Sequence, residues 1–184
     1  MAKKVLIVLA DGFEEIEAIT PIDVLRRAGV EVTLAGVGKR DIKGAHGITV
    51  QADIVLEKYQ EIPDAIILPG GMPGASNLNQ SKELGQLLAT MNKQKKWIGA
   101  ICASPAVVLA PRGLLDGKKA TCYPGFEKDL SPKTSFTTER VVQDGHIITS
   151  RGPGSAFEFS LELVEKLVGS QEVERLSEAM MAKV

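Results

Sequence analysis

The sequence has little of what marks a specialised class of protein. Its 184 residues hold two cysteines, Cys102 and Cys122, too few for a disulfide framework. No Cys/His group has the local spacing of a zinc site, so no metal and no cofactor is implied. Charge of one sign is also missing: 22 Lys and Arg against 23 Asp and Glu leave a formal net charge of −1. Nothing in that balance points to a nucleic-acid or polyanion partner. Long apolar runs are missing too. Val5-Leu6-Ile7-Val8-Leu9-Ala10 is too short for a secretory h-region with a cleavage site, and far too short to cross a bilayer. A cytoplasmic location and no membrane partner follow as expectations. Linkers, repeats and low-complexity tracts are absent as well, and the length suits one domain over 1–184.

What is present is an alternation of short Val/Ile-rich runs with longer amphipathic stretches. Strands are expected at Val5–Ala10, Val30–Ala35, Ala65–Leu68 and Trp97–Ile101. Helices are expected at Glu15–Ala28, closed by Gly29, at Leu78–Lys95, and as a short segment from Pro105 to Ala110. A further strand is read at Lys119–Tyr123, and a hairpin turns about Asp144-Gly145. Two helices, near Ser155–Val168 and Glu172–Met181, close the chain. Continuous apolar strands between helices mean a mostly parallel sheet covered on both faces, an α/β/α sandwich of doubly wound type. The segment Gly36–Leu56 and the hairpin break the alternation and call for a few antiparallel strands. In such sheets the site lies beyond the carboxyl ends of the strands.

Several strand-end loops there could carry chemistry. Ala100-Ile101-Cys102-Ala103-Ser104-Pro105 places a cysteine between a strand and a helix, with small residues two positions either side. A nucleophile on such a tight turn needs those small flanks. The helix N-terminus is expected to lower the thiol pKa. The alternative is an inert buried thiol, the common fate of a free cysteine, and spacing alone does not choose. After the first strand comes Asp11-Gly12-Phe13-Glu14-Glu15-Ile16-Glu17. Glu14 and Glu15 suit a helix dipole, whereas Glu17, between Ile16 and Ala18, either points inward or shares that role. Turned inward beside a thiolate, it would hold a raised pKa and could pass protons. In Leu68-Pro69-Gly70-Gly71 the glycines make either a plain turn or a pair of amides aimed at an oxyanion. Ser150-Arg151-Gly152-Pro153-Gly154 is equally open. His46 and His146 lack any triad-like context, and Cys122 reads as packing.

Taken together and in order, these motifs, with the helix Ile22-Asp23-Val24-Leu25-Arg26-Arg27-Ala28-Gly29, resemble the ThiJ/PfpI family. The likeness is greatest to the branch of the human parkinsonism-associated protein deglycase and bacterial ThiJ-like proteins. It extends over essentially the whole chain. It implies a flavodoxin-like three-layer sandwich and a homodimer. It implies that Cys102 is the nucleophilic, easily oxidised cysteine and Glu17 the acid hydrogen-bonded to its sulfur. Gly70, Gly71 and Ala103 fall on backbone oxyanion donors, and Arg27 and His46 on positions that contact anions. The sequence departs from the family at Thr121-Cys122-Tyr123-Pro124, where Tyr123 replaces a family histidine, which puts a Cys–His dyad in doubt. Ala103 stands where the protease-like branch has a histidine, which argues against a peptidase.

Two functions follow from the resemblance. One is cofactor-independent chemistry on methylglyoxal, glyoxal or their early glycation adducts, with a hemithioacetal on Cys102 and proton transfer by Glu17. The other is a redox sensor or holdase chaperone that oxidises Cys102 to a sulfinate without turnover. Both use the same residues, so the sequence does not separate them.

Overall fold

Runs such as Val5–Leu9 and Ala65–Leu68 have no polar side to offer, and a strand buried on both faces is where they fit. The computed structural model describes residues 2–182. Strand β1 (Lys4–Leu9) leads to helix α1 (Glu15–Arg27), then β2 (Glu31–Gly36). Short strands β3 (Asp41–Lys43), β4 (Thr49–Gln51) and β5 (Ile54–Val55) follow. Next come β6 (Ala65–Leu68), α2 (Gly74–Gln80), α3 (Lys82–Lys93) and β7 (Trp97–Ile101). Two-residue strands β8 (Lys119–Ala120) and β9 (Ser135–Phe136) precede β10 (Val141–Asp144) and β11 (Ile147–Ser150), and α4 (Ala156–Leu167) and α5 (Ser170–Ala179) end the described chain.

The main sheet runs in the order β10-β11-β7-β6-β1-β2-β5 and is parallel except for β10 against β11. Its five inner strands have the 2-1-3-4-5 order of a flavodoxin-like sandwich. Helices α1 and α4 pack together on the sheet. Gly99 allows that approach: a Cβ there would stand 2.9 Å from Phe159 Cζ. Each fully buried Leu, Ile or Phe in this core contributes roughly 1.5–3 kcal/mol. The chain leaves β1 first toward β2 and later toward β6, so the strand order reverses between β1 and β6. The loops after β1, β6, β7 and β11 lie side by side at one sheet edge, because those four strands are neighbours. No helix among the described residues is long and apolar enough to cross a membrane.

Several sequence readings shift. The helix expected over 78–95 is two helices, because Ser81 stands extended between them and its Oγ accepts the Leu84 amide at 3.1 Å as an N-cap. The strand expected through Tyr123 stops at Ala120. The short helix expected from Pro105 to Ala110 is present but is not an ordinary α-helix: Pro105–Leu109 is wound wide, with the Ala110 amide on the Pro105 carbonyl, and Ala110–Arg112 continues it as a tighter turn. Gly29 does close α1, at φ +71°, with its amide on the Arg26 carbonyl at 3.0 Å.

Candidate active site

Cys102 follows the last residue of β7 with φ +65°, a left-handed conformation that costs a non-glycine residue roughly 1–3 kcal/mol. Backbone bonds on both sides hold it there. Its amide donates to the Ser150 carbonyl at 2.9 Å, and its carbonyl accepts the Tyr123 amide at 2.8 Å. Ser104 adds a third tie, its Oγ donating to the Pro69 carbonyl at 2.6 Å. The turn is therefore pinned to β11, to the segment after β8 and to the loop after β6. The side chain is buried, with 8% of the residue exposed.

Glu17, in the first turn of α1, points inward and is fully buried. Its Oε2 accepts the Gly70 amide at 2.8 Å, while its Oε1 is buried without a partner. Burial raises its pKa to about 7, against the lowering influence of hydrogen bonds with Cys102 and the Gly70 amide. Gly70 lies between the two reactive groups: a Cβ there would come 2.6 Å from Cys102 Cβ and 2.8 Å from Glu17 Oε2. Only glycine lets the β6 loop pass so close.

The thiol itself departs from expectation. Its pKa is raised, not lowered, by burial, by the charge on Glu17 and by their hydrogen bond. The amides of Gly71 and Ala103 pull the other way. Thiol and carboxyl thus form one coupled pair, and both members favour keeping a proton. Gly70 also differs from its expected part. Its amide serves Glu17, and Gly71 and Ala103 are the residues whose amides favour an ionised sulfur.

The other candidates scatter. Tyr123 is partly exposed, with its ring edge-on to Phe126 at 6.5 Å. It lies against Gly152, where a Cβ would be 3.0 Å from Tyr123 Cδ2 and 3.9 Å from Glu17 Oε1. Glu17 Oε1 therefore faces the gap under the Gly152 loop. Arg27 sits at the far end of α1, paired with Asp23 at 2.9 Å, outside the cleft of its own chain. His46 faces acids, not an anion site: its Nδ1 is 3.0 Å from Glu15 Oε2 and 3.3 Å from Glu14 Oε2. Cys122 is buried, and burial raises its pKa to about 11. In the sequence Ser104 stands out only as a small flank of Cys102, Ser150 as a loop residue and Ser155 as the start of a helix. Ser150 Oγ bonds the Arg140 carbonyl and Ser155 Oγ, each at 2.8 Å, and Ser155 Oγ bonds the Gly152 carbonyl at 2.9 Å. Their signal was a run of small hydroxyls around Gly and Pro at a strand end.

The sequence model of the DJ-1/PfpI family matches residues 3–166. Among curated relatives, protein DJ-1 homolog B of Arabidopsis thaliana is 43% identical over 95% of this chain and 40% of its own length. The chain thus spans less than half of that relative. The glutathione-independent glyoxalase DJR-1.2 of Caenorhabditis elegans is 40% identical over 95% of this chain and 94% of its own. Among solved structures, oxidized DJ-1 of Toxoplasma gondii superimposes with a TM-score of 0.96 at 41% identity and covers 100% of both chains.

Proposed function

The chain belongs to the DJ-1/PfpI family, and on that premise we propose that it is a cofactor-independent cysteine enzyme acting on small 2-oxoaldehydes and their early glycation adducts. The observation that carries the reading is the buried, proton-retaining Glu17 beside a strained, amide-flanked Cys102. With its pKa near 7 Glu17 exchanges its proton readily, and as a carboxylate it takes the Cys102 thiol proton, which leaves a neutral acid beside the thiolate. The Cys102 thiolate then attacks the aldehyde carbon of methylglyoxal, and Glu17 protonates the resulting oxyanion to give a hemithioacetal. As a carboxylate, Glu17 next takes the proton from that carbon, the hydroxyl proton passes to the neighbouring oxygen through the enediol, and Glu17 as an acid returns the first proton to the neighbouring carbon. The product is a lactoyl thioester, and water releases lactate and the free thiol. The sequence consumes one water and is redox-neutral. The Gly71 and Ala103 amides stabilise the developing negative charge. The small exposure of Cys102 suits a substrate of a few atoms.

Purified protein should convert methylglyoxal to lactate without glutathione, and Cys102→Ser should abolish this. Lactate production surviving in the Ser variant would sink the mechanism. The relative named a glutathione-independent glyoxalase supports this choice of substrate.

A second reading uses the same pair. The Toxoplasma relative is described in an oxidized form, and a Cys102 sulfinate could accept a hydrogen bond from protonated Glu17. Mild peroxide should then add two oxygens to the wild type and none to Cys102→Ser; equal uptake by both would remove this reading. The exposed Ile16, Ile19 and Ile48 support pairing with a second copy. Light scattering should report a dimer, and Ile16→Glu with Ile19→Glu a monomer; a dimer persisting there would place the interface elsewhere.

A further inference from the structure

The two oxygens of Glu17 are not equivalent. Oε2 is taken by the Gly70 amide at 2.8 Å, whereas Oε1 is buried without a partner. Oε1 is therefore the oxygen free to carry a proton between the two substrate carbons. The aldehyde carbon meets it while bonded to sulfur, and the neighbouring carbon meets it next. Whatever that second carbon carries, a methyl group in methylglyoxal, then extends beyond Oε1. Gly152 and Tyr123 stand there. A Cβ on Gly152 would be 3.9 Å from Glu17 Oε1 and only 3.0 Å from Tyr123 Cδ2.

Tyr123 is held in that place from several sides. Its amide donates to the Cys102 carbonyl at 2.8 Å, which ties its backbone to the nucleophile, and its carbonyl accepts the Phe126 amide at 3.1 Å. One side of the ring meets Phe126 edge-on, with the ring planes at 69°. The other side lies on Gly152, whose amide donates to Ser155 Oγ at 3.1 Å and whose carbonyl accepts the Ser155 amide at 2.9 Å. Ring and loop close on each other without room for a side chain between them. Outside the ring lies an open groove of about 190 Å³ whose walls include Tyr123, Pro124, Arg151 and Gly152. A cavity of roughly 150 Å³ holds a benzene ring, so a phenyl group fits there once the Tyr123 ring is out of the way. Ile16, Ile19 and Ile48, the residues of the proposed pairing face, do not line this groove.

We propose that Tyr123 is the specificity-determining residue of the cysteine site. Its ring limits the substituent on the second substrate carbon, so 2-oxoaldehydes with a hydrogen or a methyl group there are preferred over those that carry a ring. The assignment rests on the proposed Cys102–Glu17 reaction and adds to it the residue that sets the size of the substrate. Tyr123 acts by the volume of its ring, and its hydroxyl takes no part in the selection.

The test compares kcat/KM for methylglyoxal, read as lactate, with kcat/KM for phenylglyoxal, read as mandelate. Each conversion consumes one water and is redox-neutral. The wild type should prefer methylglyoxal. Tyr123→Ala should shift the ratio toward phenylglyoxal by at least about tenfold, the scale on which small changes of pocket volume discriminate. Tyr123→Phe keeps the ring and should keep the wild-type ratio. Thermal unfolding checks that the variants fold, and Tyr123→Leu repeats the measurement if Tyr123→Ala does not. An unchanged ratio in the folded small-residue variant would overturn the assignment, as would a wild-type preference for phenylglyoxal. A shift in Tyr123→Phe as large as in Tyr123→Ala would overturn it too, because the hydroxyl would then make the selection. Lactate from the wild type with an unchanged ratio in the variants would leave the Cys102 reaction standing and remove only the size limit. A wild type that makes no lactate would remove the proposed reaction and the size limit with it.

Discussion

Glu15 and Glu17 stand two residues apart on α1, are both buried, and are held in opposite states. Burial pushes both carboxyls toward the neutral form. Around Glu15 that push is overcome, because the His46 ring and the amides of His46 and Ile48 all donate to it, and its pKa is lowered. Glu17 has the Gly70 amide, a thiol and an oxygen with no partner, and its pKa rises to about 7. Depth and donors decide the charge together: burial is the largest influence on the deeper Glu17, whereas around Glu15 the donors jointly outweigh it. Successive helical residues point about 100° apart, so two positions along α1 carry the chain from the His46 loop to the strand-end cleft.

The largest expected effect breaks the comparison at its catalytic side. Glu17→Gln keeps shape but cannot shuttle a proton, and should cut lactate production by about 10²–10⁴-fold. Glu15→Gln should leave most of it. Comparable losses in both variants would mean that the two acids are not chemically distinct.

The next effect concerns stability. A carboxyl whose folded pKa is raised from 4.5 to about 7 contributes stability that is full below pH 4.5 and lost as the pH rises through 7. Glu17→Gln removes that dependence. At pH 8 it should therefore be more stable than the wild type, by on the order of 3 kcal/mol, with no gain at pH 4. Urea unfolding at the two pH values measures this, and a variant less stable at pH 8 would contradict a raised pKa.

The smallest effect sharpens the other side. Glu15→Ala strands the amides of His46 and Ile48, and should cost roughly 1–3 kcal/mol at pH 8. Hydrogen exchange should show faster opening of residues 44–48, and unchanged exchange there would remove the bracing role of Glu15.

The sequence reached one side of this comparison more easily than the other. Cys102, Glu17 and the Gly70-Gly71 turn were visible in three strand-end loops, because a parallel sheet brings such ends to one edge. The flavodoxin-like sandwich was implied by the family resemblance, whereas the apolar pattern alone marked only a mostly parallel, doubly wound sheet. What stayed hidden depends on long-range contact. The Glu15–His46 pairing joins residues 31 apart, and nothing local marks it. That the Gly70 amide serves Glu17 could not be read from a Gly-Gly pair that equally suits an oxyanion. The raised thiol pKa was missed because it comes from burial and from the Glu17 carboxyl, neither of which the residues around Cys102 reveal. The break at Ser81 was in principle legible, since a serine followed by Lys82-Glu83 is an N-cap signal inside an otherwise helical run.

The measurement closest to the central claim is a carbon-13 NMR titration of the glutamate side-chain carboxyls, with Glu17 assigned by comparison with Glu17→Gln. The account predicts that Glu17 titrates near pH 7 while Glu15 remains ionised below the ordinary glutamate range. A Glu17 carboxyl that loses its proton at or below 4.5 would contradict it, and with it the proton-holding pair on which the proposed chemistry rests.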